Sequence, residues 1–200
     1  MRTLIVHPKD STTDFLKPIY SSISNKTIIT GGVTKSELRK LIEINDRVIM
    51  LGHGSPFGLM SVNQFPYAGA NIIDETMATQ LSKKTHNIYI WCFADKFVQR
   101  NRLNGFYSGM FISEFAEAFS WGFYISDRNL IKESNECFAS VVSLNIHQPL
   151  EVLFDSVIQE YAIMAKTNPI AKFNMERLYL NSNNCQNGSN RFCTELRELP

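Results

Sequence analysis

Two short apolar runs each end on a side chain that can do chemistry. Val48 to Leu51 stops at Gly52-His53-Gly54, and Ile88 to Trp91 stops at Cys92, which lies 92 − 53 = 39 residues after the histidine. An imidazole can take the proton of a thiol or hold the thiolate as an ion pair, and the thiolate is the nucleophilic form. Acyl transfer from such a pair also needs N–H donors for the oxyanion. The Gly54 and Cys92 amides suit that role, because both follow the last residues expected to join a ladder. The glycines around His53 allow a sharp turn and a close approach of ligand to backbone.

For these side chains to meet, both runs must be strands of one sheet ending at one edge. Each is too short for a buried helix and suits a strand buried on both faces. The preceding chain repeats the pattern. Leu4 to Val6 reads as a first strand with His7 at its end. Ser11 to Asp14 opens a helix running to about Ser22, and Thr27 to Thr30 reads as a second strand. Thr34-Lys-Ser-Glu37 is a capping box that starts a helix carrying Leu38, Leu41 and Ile42 on one face. The segment from Gly54 to about Asn71 reads as one long loop, and Asp74 caps a helix over Glu75 to Lys84. Strands alternating with helices predict an α/β fold: a three-layer α/β/α sandwich around a mostly parallel sheet. Ligands of such sheets bind beyond the carboxyl ends of the strands, where His7, His53 and Cys92 are expected.

Further along, residues 95 to 104, with Lys96, Arg100 and Arg102, read as a polar loop, and Gly105 and Gly109 bracket a turn. A helix is expected over Met110 to Ser120 with Phe111, Phe115, Ala118 and Phe119 packed inward. A fifth strand is expected over Gly122 to Ile125 and another over Phe138 to Leu144. A helix is read over Pro149 to Ala165, and a last strand over Arg177 to Leu180. The domain is read as residues 1–180, with 181–200 a polar C-terminal tail.

Bulk properties narrow the function classes. Two hundred residues, 44% hydrophobic and 20% charged, suit one globular domain that buries roughly 70% of its unfolded surface. Twenty basic against nineteen acidic residues leave a net charge of +1, which gives no electrostatic footprint for nucleic acid or an anionic membrane. No apolar run reaches a membrane span, and the N-terminal run is too short for a signal peptide. The four cysteines, Cys92, Cys137, Cys185 and Cys193, lack metal-ligand spacing. Free thiols in a reducing cytoplasm are therefore expected, with no metal and no cofactor. His-Gly-Ser at 53–55 resembles part of a lipase oxyanion stretch, but there is no G-x-S-x-G elbow and no phosphate-cradling glycine loop.

An apolar strand ending in His-Gly, then a helix, then an apolar strand ending in Cys, resembles the caspase-like (clan CD) cysteine peptidases, over about residues 1 to 127. The resemblance implies that His53 is the general base, Cys92 the nucleophile and Gly54 part of the oxyanion hole. It implies a caspase-like sheet and a protein or peptide substrate. Trp91 stands before the cysteine, where the family often has a small residue or an acid; it fits if its side chain faces the far side of the sheet. Asp95, the acid nearest Cys92 in sequence, is the candidate for pairing with a basic substrate side chain, unless it caps the next segment or pairs with Arg100. Two rivals stay open: a caspase-fold regulatory or protein-binding module without turnover, and a flavodoxin-like domain binding a small molecule. The first differs from a peptidase in the reactivity of Cys92; the second requires His53 and Cys92 to lie far apart.

Overall fold

A computed structural model describes residues 1–125 and 127–181. Cys185, Cys193 and the part of the expected tail over 182–200 lie outside the described residues. In chain order come β1 (Thr3–Val6), a 3-10 helix (Ser11–Tyr20), β2 (Lys26–Ile29), α1 (Lys35–Ile44), β3 (Arg47–Leu51), β4 (Gly54–Ser55), β5 (Gly58–Met60) and β6 (Asn71–Ile73). A short 3-10 turn (Glu75–Met77) leads into α2 (Ala78–Leu81), followed by β7 (Ile88–Ile90), α3 (Ala94–Arg100), β8 (Gly105–Ser108) and α4 (Phe115–Ser120). The long helices α5 (Asn129–Asn145) and α6 (Leu150–Met164), then α7 (Pro169–Met175) and β9 (Leu178–Asn181), complete the described chain.

The fold is mixed α/β with a six-stranded sheet in the order β2-β1-β3-β7-β8-β9. Five strands are parallel and β9 runs antiparallel to β8. β1, β3, β7 and β8 are buried at every position, as strands of a sheet covered on both faces must be. Alternate side chains feed two apolar clusters. Ile5, Ile49, Leu51, Ile90 and Phe106 pack with Leu16 and Ile19 of the 3-10 helix and with residues of α5 and α6 such as Phe138 and Leu153. Leu4, Val48, Met50, Tyr89 and Trp91 pack with Leu38 and Ile42 of α1 and Phe97 of α3. The Thr34 capping box forms as expected: the Thr34 amide donates to Glu37 Oε2 at 2.8 Å and the Glu37 amide to Thr34 Oγ1 at 3.2 Å.

Several expectations are corrected. Residues 54–71 are not one loop: β4 and β5 pair antiparallel and join β6 in a second, three-stranded sheet. The polar stretch after Asp95 is α3, which turns Phe97 and Val98 inward. Its two turns are too short to show helical periodicity. Gly105 does not bracket a turn but opens β8. Its φ is +146°, and a Cβ there would strike the Asn87 carbonyl, so the glycine marks a close approach of two strands. β8 takes the place expected for 122–125, which form no strand. The helix expected from Met110 starts only at Phe115. Residues 110–113 form no helix, and Asn174 grips Ile112 there, accepting from its amide at 2.7 Å and donating to its carbonyl at 2.9 Å. Phe115 and Phe119 are consequently exposed, whereas Phe111 and Ala118 are buried. Phe138 to Leu144 is the interior of α5 and not a strand. The β-branched run there is overruled by packing of Phe138 and Val142 against the sheet.

Candidate active site

β3 and β7 are parallel neighbours, with Leu51 opposite Ile90. Their chains leave the sheet side by side, so Gly52-His53 and Trp91-Cys92 share one edge. Gly52, His53, Trp91 and Cys92 line a single cavity, roofed by Thr13, Phe15 and Leu16 of the 3-10 helix and by Phe111 and Ser113. The cavity holds about 20 Å³, room for about one water. A groove of about 310 Å³ shares Phe15 and Ser113 with it and is also lined by Ser11, Thr12, Arg128 just before α5 and Asn135 within α5.

The turn after β7 is built for this placement. Trp91 is buried among Tyr89 and Phe97, on the far side of the sheet as its position demands. Its Nε1 donates to the Ser55 carbonyl at 3.2 Å, and a Cβ on Gly54 would run into the indole ring. A glycine at 54 is thus required to let the strand after His53 cross Trp91. Ser108 of β8 accepts from the Trp91 amide at 3.1 Å and donates to its carbonyl at 2.9 Å. Phe93 then adopts φ +67°, reversing the chain into α3. A left-handed phenylalanine costs energy, and such positions persist where surrounding contacts hold them. Here the Phe93 amide donates to the Gly109 carbonyl at 3.0 Å.

Cys92 points its thiol at the Phe111 carbonyl, 3.5 Å away, and at Glu117 Oε1, 3.7 Å away. Burial first, and then the Glu117 carboxylate, push the thiol up to about 12. In this arrangement Cys92 therefore ionises less readily than an ordinary thiol. Sequence reasoning missed Glu117. Its Oε2 accepts from the Ser113 amide at 2.8 Å and the Glu114 amide at 3.1 Å, which caps α4 and aims the other oxygen at Cys92. An acid three or four residues beyond Ser113-Glu114 was the available signal.

His53 faces the loop after β1. Its Nε2 lies 2.6 Å from Thr12 Oγ1 and 3.8 Å from Asp10 Oδ2. Asp10, not Ser11, caps the 3-10 helix, accepting from the Thr12 amide at 2.9 Å. The Thr12 amide and hydroxyl hold its carboxyl below the usual carboxylate range. His7 sits beneath this loop. Its Nδ1 is 3.1 Å from Tyr20 Oη and its Nε2 3.0 Å from Thr13 Oγ1, so it pins the 3-10 helix to the tip of β1. Burial lowers its pKa to about 4.

Neither Gly54 nor Asp95 is among the residues lining the cavity. Gly54 opens β4 opposite Leu59. Asp95 lies buried in the first turn of α3, 3.3 Å from Lys96 Nζ. Arg100 ends the same helix with its guanidinium over the Phe57 ring. Among the described residues no group of three or more His, Cys, Asp or Glu is placed to hold a metal ion, and no helix is long and apolar enough to cross a membrane. No family model matches the chain, and no curated protein or solved structure matches it.

Proposed function

We propose that this chain is a caspase-like, three-layer α/β/α cysteine peptidase domain that hydrolyses peptide bonds through a His53/Cys92 dyad. The observation that carries the reading is that His53 and Cys92 follow adjacent parallel strands and both line one cavity. In the reaction His53 takes the Cys92 proton, and Sγ attacks the scissile carbonyl carbon. The C–N bond breaks as the imidazolium returns the proton to the leaving amine, and water then hydrolyses the thioester. The Cys92 amide is the proposed oxyanion donor; Gly54, expected outside any ladder, instead opens β4 opposite Leu59 and lies outside the cavity, so it has no part in the proposal. A peptide would lie in the groove between the 3-10 helix and α5, which shares Phe15 and Ser113 with the cavity. Asp95 has no part in this proposal, because it lies outside the cavity and beside Lys96. Cys92 and Cys137 as free thiols fit a reducing, cytoplasmic setting.

The arrangement described is a resting one. A one-water cavity admits no peptide, and burial, with the Glu117 carboxylate beside it, keeps the thiol protonated. Turnover requires the segment from Phe111 to Glu117 to move away from Cys92. The same two observations favour a second reading, a caspase-fold protein-binding module in which Cys92 never ionises. Incubation with a diverse peptide library, followed by mass spectrometry, separates the two. Cleavage by the native chain that disappears in Cys92→Ala supports the peptidase; no cleavage, or cleavage that survives in Cys92→Ala, supports the module.

A further inference from the structure

We infer that Asp10 and Thr12 are positioning residues that fix the His53 tautomer, leaving Nδ1 as the basic nitrogen. The inference rests on the dyad reading and adds the group that orients its base. The hydrogen-bond directions carry it. The Thr12 hydroxyl has one proton, and it donates to Asp10 Oδ1 at 2.8 Å; a carboxylate can only accept. The 2.6 Å contact between Thr12 Oγ1 and His53 Nε2 must then use a hydroxyl lone pair, so Nε2 bears the hydrogen. A neutral imidazole with Nε2–H has its lone pair on Nδ1. The contact persists when Nδ1 is protonated, because an imidazolium donates from both nitrogens. Asp10, 3.8 Å from Nε2, then faces a cation. In the step served, the Cys92 S–H bond breaks, an Nδ1–H bond forms, and a thiolate–imidazolium pair results with Nε2–H unmoved.

The 3-10 helix holds the relay in place. Asp10 is pinned by the Thr12 amide at 2.9 Å. The Thr13 hydroxyl donates to the Asp10 carbonyl at 3.1 Å and by the same logic accepts from His7 Nε2. Two histidines thus read two consecutive threonines. His7 is spent on structure, buried at 3% exposure, while His53 is the histidine that lines the cavity.

Thr12→Val and Thr12→Ser test this in the full chain. Valine keeps the shape and leaves the backbone amide to cap onto Asp10, so the fold is spared. The ¹H–¹⁵N spectrum of the histidine side chains should show a slowly exchanging His53 Nε2–H in the native chain and in Thr12→Ser, and none in Thr12→Val. Alkylation of Cys92 by iodoacetamide should slow roughly tenfold in Thr12→Val, the worth of one hydrogen bond to a charged group, and recover in Thr12→Ser. An Nε2–H signal that is absent from the native chain, or that survives in Thr12→Val, overturns the relay whatever happens to the rate. A lost signal with unchanged alkylation overturns the positioning role. Failure of the dyad itself would show differently, as alkylation indifferent to His53→Ala.

Discussion

Replacing Glu117 with glutamine should speed alkylation of Cys92 about tenfold at pH 8. The carboxylate sits 3.7 Å from the thiol sulfur and disfavours the thiolate as a like charge and as an acceptor of the thiol proton. Glutamine keeps the carbonyl oxygen that accepts from the Ser113 and Glu114 amides, so the cap on α4 survives, while the charge goes. Each pH unit by which the thiol falls raises the thiolate fraction tenfold, for about 1.4 kcal/mol. Burial, the larger cause of the shift, remains, so ordinary thiol behaviour should not be restored. Peptide mapping after timed iodoacetamide exposure reads the rate, with Cys137 as internal reference, its thiol also raised by burial. An unchanged Cys92-to-Cys137 ratio would mean that burial alone holds the nucleophile down and that Glu117 is no latch.

The second large effect is on stability in acid. His7 has an ordinary pKa of 6.5 and a folded value of about 4. Between those pH values the unfolded chain binds a proton that the folded chain refuses, so unfolding gains as pH falls. The contribution is fully present above pH 6.5, shrinks progressively toward pH 4, and amounts to about 3 kcal/mol over that window. Protonation would also force both ring nitrogens to donate, removing the acceptor for the Tyr20 hydroxyl. Urea unfolding of the native chain and His7→Asn at pH 7 and pH 4 isolates this from carboxylate titration. The stability gap between them should narrow by about 3 kcal/mol at pH 4. A constant gap would show that His7 does not titrate with unfolding.

The site's scaffold was legible because its strands are continuous apolar runs bounded by glycine or polar turns. β3 and β7 show this, and their adjacency followed from alternation with helices. Thr34 was legible because a capping box is local. What was missed depends on contacts between distant residues. β8 was hidden because Gly105 and Ser108 read as turn residues, although one accommodates the Asn87 carbonyl and the other the Trp91 backbone. The chain before α4 is gripped by Asn174, 62 residues from Ile112. Glu117 and Thr12 belong to the site only because α4 and the 3-10 helix fold over the strand tips. No spacing within the chain places a carboxylate 25 residues beyond Cys92 against its sulfur.

The claim that His53 and Cys92 act as one dyad is tested most directly by covalent capture. A peptidyl acyloxymethyl ketone, offered to Glu117→Gln with and without His53→Ala, reports the attack of the thiolate on a peptide-like carbonyl centre. The account predicts one adduct, located on Cys92 by mass spectrometry, forming about a hundredfold more slowly without His53, within the range for loss of a general base. Equal rates in the two chains, or labelling of Cys137 in place of Cys92, would contradict it.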